Sequence, residues 1–268
     1  MAKQRLDALL AERGLFSSRT RAAASVMAGE VRVGAAARRA QKPGELVDVE
    51  EPLIVDERAA FVSRGGIKLA NALDACALDV RDRRAIDVGA STGGFSDCLL
   101  QRGARDVIAV DVGYGTLSWS LRNDPRVTVM ERTNARALEP AKLPHVPDLA
   151  VLDVSFISLE KVLSAVLACL APGYDALALI KPQFEVGRAR VGKGGVVRDA
   201  DTRRDALIGV GEAALTLGAA VLGYYSSGLP GPKGNQETFV RLADPAHVDE
   251  LGEQSSAALE RMAREVEP

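Results

Sequence analysis

From Arg84 onward, short runs of Val, Ile, Leu and Ala alternate with stretches whose apolar residues recur every three or four positions. RAIDVG (84–89), DVIAVDVG (106–113), RVTVME (126–131), DLAVLDVS (148–155), DALALIKP (175–182), AAVLGYYSS (219–227) and ETFVRLA (237–243) read as seven strands. STGGFSDCLLQRG, LSWSLRN, SLEKVLSAVLACL and DTRRDALIGVGEAALTLG read as the helices between them. A last helix is expected through HVDELGEQSSAALERMAREVE, from His247. The strands are apolar nearly throughout, as strands covered on both faces are, so the pattern predicts an α/β domain with a mostly parallel, seven-stranded sheet.

The first sixty residues follow a different pattern. RLDALLAERGL has helical spacing, Ser17 and Ser18 precede a second helix through TRAAASVMAG, and EVRVGAAARRAQKPGELVDVE alternates as short strands do. This predicts a small α+β unit over 1–59. EEPLIVDERAA (50–60) reads as a joint, because Pro52 and its charges interrupt any period. The second domain is then 60–268.

Charge separates the two parts further. The 268 residues carry a formal charge of −2, with 47% apolar and 26% charged residues, which describes a folded globular chain. Residues 1–44 hold nine basic residues against three acidic ones, so the head is +6 and the remainder −8. A basic head on a mildly acidic body suits contact with a polyanion. Aromatics are only 4%, which argues against broad base-stacking platforms. Cys76, Cys98 and Cys169 are far apart and far from His145 and His247, so they read as buried thiols rather than metal ligands or disulfides. The longest uncharged run, 213–232, ends in SSGLPGP, which would break a membrane helix. With no apolar leader at the N-terminus, the expected location is the cytoplasm. A monomer without metal or membrane contact is the expected state.

In open α/β sheets, ligands bind at the carboxyl ends of the strands. IDVGASTGGF (86–95) places Asp87, Gly89, Gly93 and Gly94 there. Small residues let backbone approach a ligand, and the helix that follows favours electron-rich groups. The spacing is not that of a dinucleotide site, and the lysine of a phosphate-binding loop is absent. Asp111, 22 positions past Gly89, closes the second strand, where a carboxylate can accept both hydroxyls of a ribose. Four ionisable residues come from separate segments: Lys68 in SRGGIKL, Asp153 after the fourth strand, Lys181 after the fifth and Glu237 at the start of the seventh. An apolar strand rarely ends in lysine without a partner, because a desolvated ammonium is costly.

The Asp-x-Gly…Asp arrangement resembles S-adenosylmethionine (SAM) methyltransferases, and the Lys-Asp-Lys-Glu order resembles the RrmJ/FtsJ ribose 2′-O-methyltransferases. RLD, GLFSSRTRA, GEVRVG and KPGELV resemble the RNA-binding domain of ribosomal protein S-four, although Gly34-Ala35 replaces its usual asparagine-glycine. With SRGGIKL, DVGASTGGF, ERTNAR, SFISL, KPQFEVG and LPGPKGN, the chain resembles the TlyA family of ribosomal RNA methyltransferases over residues 3–245. That resemblance implies a Rossmann-like SAM-dependent methyltransferase fold and SAM as methyl donor. Its substrate would be cytidine in 16S or 23S ribosomal RNA within ribosomal subunits. It implies Lys68, Asp153, Lys181 and Glu237 as catalytic residues. Cofactor contacts would come from Asp87, Gly89, Ala90, Ser91, Gly93, Gly94, Phe95, Asp111, Val112, Asn134, Ala135 and Asp153. RNA contacts would come from Arg5, Arg19, Arg21 and Lys42 in the head, and from Arg132, Arg136 and Arg188 in the body.

Two assignments of Lys181 stay open: a general base whose proton is loosened by burial and by Lys68, or an ammonium that stabilises the developing alkoxide. GRARVGKGGVVRD (187–199) reads as a mobile basic lid reaching phosphates through Arg188, Arg190 or Lys193, and RNA affinity is expected to fall steeply with salt. Trp119 reads as a packing residue, His145 as an incidental loop residue and His247 as a solvated helix end. Two other classes compete, a haemolysin-like membrane-active protein and a non-catalytic assembly factor. The lack of an apolar span opposes the first, and the four ionisable residues oppose the second.

Overall fold

The computed structural model describes residues 2–27, 29–55, 60–231 and 233–267. The chain divides into two compact units, 1–59 and 60–268.

The first unit runs β1 (Lys3–Arg5), α1 (Leu6–Glu12), α2 (Arg19–Met27), β2 (Val31–Val33), β3 (Arg38–Arg39), β4 (Leu46–Asp48) and β5 (Leu53–Val55). β1 pairs antiparallel with β4, and β2 lies between β3 and β5 in a second antiparallel sheet. Leu6, Leu9 and Leu10 of α1 pack on Ala22 and Val26 of α2 and on Val31, Val33 and Val47. Two features differ from the sequence reading. A strand precedes the first helix, and part of the expected joint is β5, paired with β2. Pro52 does not prevent this, because it precedes the strand and so costs no ladder hydrogen bond. The rest of the joint, residues 56–59, lies outside the described residues, as do Ala28 in the second helical stretch and Pro232 in LPGPKGN.

The second unit begins with α3 (Arg64–Ala75), a helix that the sequence pattern did not single out. It continues β6 (Arg84–Val88), α4 (Gly94–Gln101), β7 (Asp106–Val110), α5 (Trp119–Arg122), β8 (Val127–Met130), β9 (Leu149–Leu152), α6 (Glu160–Leu167), β10 (Asp175–Ile180), α7 (Pro182–Glu185), α8 (Ala200–Thr216), β11 (Ala220–Ser226), β12 (Thr238–Ala243) and α9 (Ser256–Val266). The seven strands form one sheet in the order β11-β12-β10-β9-β6-β7-β8. The five strands from β10 to β8 are parallel, and β12 inserts antiparallel between β10 and β11. Alternation along each strand feeds two cores. Ile86, Val88, Ile108 and Leu152 face the layer that contains α6, α8 and α9. Ala85, Val107, Ala109 and Val151 face α3, α4 and α5.

The last helix starts at Ser256, where the Ser255 hydroxyl caps it, and not at His247. His247 sits in a short 3-10 turn and pairs with Asp244, Nδ1 to Oδ2 2.9 Å. His145 lies on a loop, as expected, with its Nε2 2.7 Å from Asp106 Oδ1 at the start of β7. Trp119 is 80% exposed and does not pack in a core; the buried residue of that helix is Leu121. The three cysteines are buried, as expected.

Candidate active site

Four loops at the carboxyl edge of the parallel strands build one continuous cleft. The turn after β6 supplies Gly89 to Thr92, the turn after β7 Asp111, and the turn after β9 Asp153 to Ile157. The segment after β8 supplies Thr133 to Ala135. One half, about 420 Å³, is lined by Ser63, Lys68, Asp87, Ala90, Gly94 and Phe95 among others. The adjoining half, about 480 Å³, is lined by Asp111, Val112, Asn134, Ala135, Phe156 and Ile157 among others. Gly89, Ser91 and Asp153 border both.

The loop after β6 has little room for side chains. Gly89 has φ +88°, and a Cβ there would lie 2.6 Å from the Asp153 carbonyl oxygen. A Cβ on Gly94 would collide with Ser63 Oγ. The turn is therefore backbone pressed against backbone, which leaves the cleft open above it.

Asp87 is fully buried at the floor of the cleft. Its Oδ2 accepts hydrogen bonds from Ser96 N (2.9 Å) and Ser96 Oγ (2.7 Å), whereas Oδ1 is buried without a partner. Burial pushes its pKa up to about 7; the Ser96 donors oppose the rise, and the charges of Asp153 and Asp111 add to it. A carboxylate oxygen with no partner at the base of a cleft suits a cationic group from a ligand. Asp111 accepts from Gly113 N at 2.6 Å through Oδ1 and from Ser91 N at 2.7 Å through Oδ2. Each oxygen keeps a lone pair for a further donor. Val112 beside it is 75% exposed, an apolar wall for a planar ring. The Asn134 carbonyl caps its own turn by accepting from Arg136 N at 3.0 Å. Sequence-predicted Asp87, Asp111, Asn134 and the glycine loop thus surround one cleft. Gly93 is the exception, since its Cα faces Leu117 and Leu121 rather than the cleft.

The four ionisable residues form two ion pairs. Lys68 Nζ on α3 donates to Glu237 Oε2, and both side chains are buried. Lys181 Nζ lies 2.5 Å from Asp153 Oδ1 and donates an aligned hydrogen bond to Ser155 Oγ at 2.8 Å. Lys68 and Asp153 border the same half of the cleft. Each lysine thus faces a carboxylate more closely than it faces the other lysine. Glu185 ties the loop after Lys181 to the loop after Asp153, accepting from Leu159 N at 3.1 Å, and burial raises its pKa.

Phe156 has no role in the sequence reading. It is 92% exposed with φ +65°, and its ring centroid lies 5.3 Å from that of Phe184. SFIS looks like any apolar strand exit, so only the fold shows a strained, exposed aromatic at the cleft mouth. Arg132, also at positive φ, lies over the Tyr114 ring at 4.4 Å, and Arg136 and Arg188 are exposed. Arg190 instead pairs with Asp205 at 2.5 Å. In the first unit Arg5, Arg19, Arg21 and Lys42 are all exposed. Buried Asp7 accepts from Arg5 Nε (3.1 Å) and Nη2 (2.7 Å) and holds Arg19 at 3.5 Å. Among the described residues no three His, Cys, Asp or Glu side chains group as a metal site.

The model of the FtsJ-like methyltransferase family matches residues 61–243. The chain is 50% identical over 242 residues to the 16S/23S rRNA (cytidine-2′-O)-methyltransferase TlyA of Mycobacterium tuberculosis, covering 90% of each chain. It is 44% identical over 265 residues to YqxC of Bacillus subtilis, covering 98% of this chain and 94% of that one. A solved structure from Streptococcus thermophilus that carries a haemolysin label superposes with a TM-score of 0.72 at 40% identity, covering 99% of this chain and 96% of that one. Such identity along nearly the whole length extends beyond the methyltransferase unit, and the chain belongs to the FtsJ-like methyltransferase family, among its TlyA members.

Proposed function

We propose that the protein transfers the methyl group of SAM to the ribose 2′-hydroxyl of cytidine in ribosomal RNA; the Mycobacterium tuberculosis relative is named a 16S/23S rRNA (cytidine-2′-O)-methyltransferase. The observation that carries this reading is the pair of ion pairs, Lys68–Glu237 and Lys181–Asp153, assembled from residues up to 169 positions apart beside the glycine turn.

SAM supplies a methyl already activated by its sulfonium charge. The unpartnered Asp87 Oδ1 fits its ammonium, Asp111 its ribose hydroxyls, and Val112, Asn134 and Ala135 its adenine. What remains for the protein is to hold a ribose hydroxyl in line and to accommodate charge on its oxygen. Lys181 donates to Ser155 Oγ and lies beside Asp153 Oδ1, so an N–H that Ser155 does not use serves the ribose oxygen as its proton leaves to water. The Lys68–Glu237 pair flanks the cleft with no net charge and fixes α3 against the last strand of the site. Of the two roles open for Lys181, this favours the electrostatic one. The exposed basic residues of the first unit, with Arg132, Arg136 and Arg188, take RNA phosphates.

A membrane role has no support in the fold: among the described residues no helix is long and apolar enough to cross a bilayer.

The deciding experiment is transfer of labelled methyl from SAM to isolated ribosomal subunits, with the product ribose mapped by its resistance to alkaline cleavage. Transfer at a cytidine 2′-position, reduced at least a hundredfold in Lys181→Ala and weakening steeply with added salt, is the expected result. No transfer by the intact protein to any subunit refutes the reading.

A further inference from the structure

The segment between β11 and β12 does more than bring Glu237 to its lysine. Three residues on one face of α3, at spacings of four and three, hold it. Arg64 Nη2 donates to Pro230 O at 2.9 Å, Lys68 to the Glu237 carboxylate, and Asn71 Nδ2 to Ser227 O at 2.9 Å. The segment is folded tightly on itself: Gly231 N donates to Asn235 O at 2.8 Å, and a Cβ on Gly231 would overlap the Glu237 carboxylate.

From this segment Asn235 reaches another part of the chain. It is 2% exposed, and both ends of its amide are used on the basic stretch after α7. Its Oδ1 accepts from Val197 N at 2.8 Å and its Nδ2 donates to Gly195 O at 2.8 Å. That stretch is not simply open. Gly192 N donates to Val196 O, Gly195 N to Gly192 O, and Gly194 and Gly195 stand at φ +82° and +81°. The result is a compact turn with Lys193 exposed at its tip. Lys233 reaches the same place: its Nζ is 3.7 Å from where a side chain on Gly195 would begin. Lys193 on the turn and Lys233 beside Gly195 thus share a turn whose anchor is two residues from Glu237.

We propose that Asn235 is a positioning residue that docks the Gly192–Val196 turn beside the active site, so that Lys193 and Lys233 together grip a phosphate of the substrate RNA close to the reacting nucleotide. The buried amide of Asn235 satisfies Val197 N and the Gly195 carbonyl, beside the turn's own two hydrogen bonds and the buried Val197 side chain. Losing that amide leaves a buried N–H and a carbonyl unpaired and releases the turn, while leaving Asp87, Asp111 and Lys181 as they are. This inference rests on the RNA methyl transfer proposed above.

The test compares wild type, Asn235→Ala, Asn235→Asp, Lys193→Ala/Lys233→Ala and the triple variant as full-length chains. The readouts are SAM affinity by calorimetry and methyl transfer to ribosomal subunits as a function of subunit concentration and salt. Asn235→Ala is expected to raise KM for subunits about tenfold and to change kcat and SAM affinity less than twofold. It should also make the logarithm of affinity less dependent on the logarithm of salt, by a slope of about one to two, as two phosphate-facing lysines disengage. Asn235→Asp keeps the acceptor for Val197 N but turns an oxygen toward Gly195 O, so it should resemble the alanine variant. The lysine pair is exposed, so its loss should not impair folding. It should reproduce the KM effect alone, and the triple variant should be no worse. A fall in kcat or SAM affinity with unchanged KM, full additivity in the triple variant, or a lysine pair that behaves as wild type overturns the proposal. Absence of methyl transfer by wild type instead refutes the proposed function itself.

Discussion

Asp87→Asn separates what the cleft needs for binding from what the fold needs for stability. In the folded protein this carboxyl holds its proton up to about pH 7, against 3.8 when exposed. Between those values the native state binds more protons than the unfolded one, so stability falls as pH rises from about 4 to 7 and is level above that. A shift of about three units is worth about 4 kcal/mol at complete burial. Water entering through the cleft reduces it, and about 2 kcal/mol is the expected effect at pH 8. Asparagine keeps an oxygen for the two Ser96 donors, 2.9 and 2.7 Å away, and carries no charge. The variant should melt about 4 to 8 °C above wild type at pH 8, converging with it near pH 4. Its amide offers the cofactor's ammonium no anionic partner, so SAM affinity should fall about tenfold to a hundredfold. Calorimetric melting at pH 4.5, 6 and 8, with SAM titrations at pH 8, reads both. A variant no more stable than wild type at pH 8, or one that binds SAM equally well, would show that the unpartnered oxygen is neither costly nor used.

Two further substitutions probe the loops around it. Gly89→Ala places a methyl 2.6 Å from the Asp153 carbonyl at φ +88°, so it should cost about 2 to 4 kcal/mol and displace Asp153 from Lys181; unchanged melting and methyl transfer would contradict that packing. Phe156→Gly removes a side chain that is 92% exposed from a backbone at φ +65°. It should leave melting unchanged or raise it by a few degrees, as about 1 kcal/mol of strain is relieved, while methyl transfer to subunits falls about tenfold through lost stacking on the RNA; a destabilised variant of full activity would reverse both assignments.

The sheet was legible because its strands are apolar on both faces and its turns are marked by Gly, Pro and Asp. Those signals are local, and all seven strands were placed by them. α3 was not, because RGGIKLANALDA opens on two glycines that lower helix propensity, and its amphipathic face becomes meaningful only once β6 and α4 are beside it. The start of α9 was misplaced for a similar reason: HVDELGEQ carries helical residues, but the Gln254 amide instead pairs with Val221 N at 2.8 Å along the open edge of β11. Trp119 was judged by residue type, which describes averages, whereas its 80% exposure follows from Leu117 and Leu121 taking the space beneath the glycine turn.

The site was legible as two lysines oriented by two carboxylates, but not as to which carboxylate serves which lysine, and the difference changes the chemistry. A list of two lysines and two carboxylates suggests mutual repulsion between ammonium groups as the device that frees a base. The fold instead gives each lysine its own carboxylate, and each pair joins elements distant in sequence: α3 to β12, and the exit of β10 to the exit of β9. The carboxylates without a cationic side chain, Asp87 and Asp111, lie at the floor and the far side of the glycine turn. The cleft is therefore acidic where a sulfonium donor and its ribose would sit, and balanced where a polyanionic RNA must enter. The proposed cationic cofactor, reaching from Asp87 in one half to Asp111 in the other, and a polyanionic substrate entering beside the two ion pairs are then not repelled by the residues that receive the other.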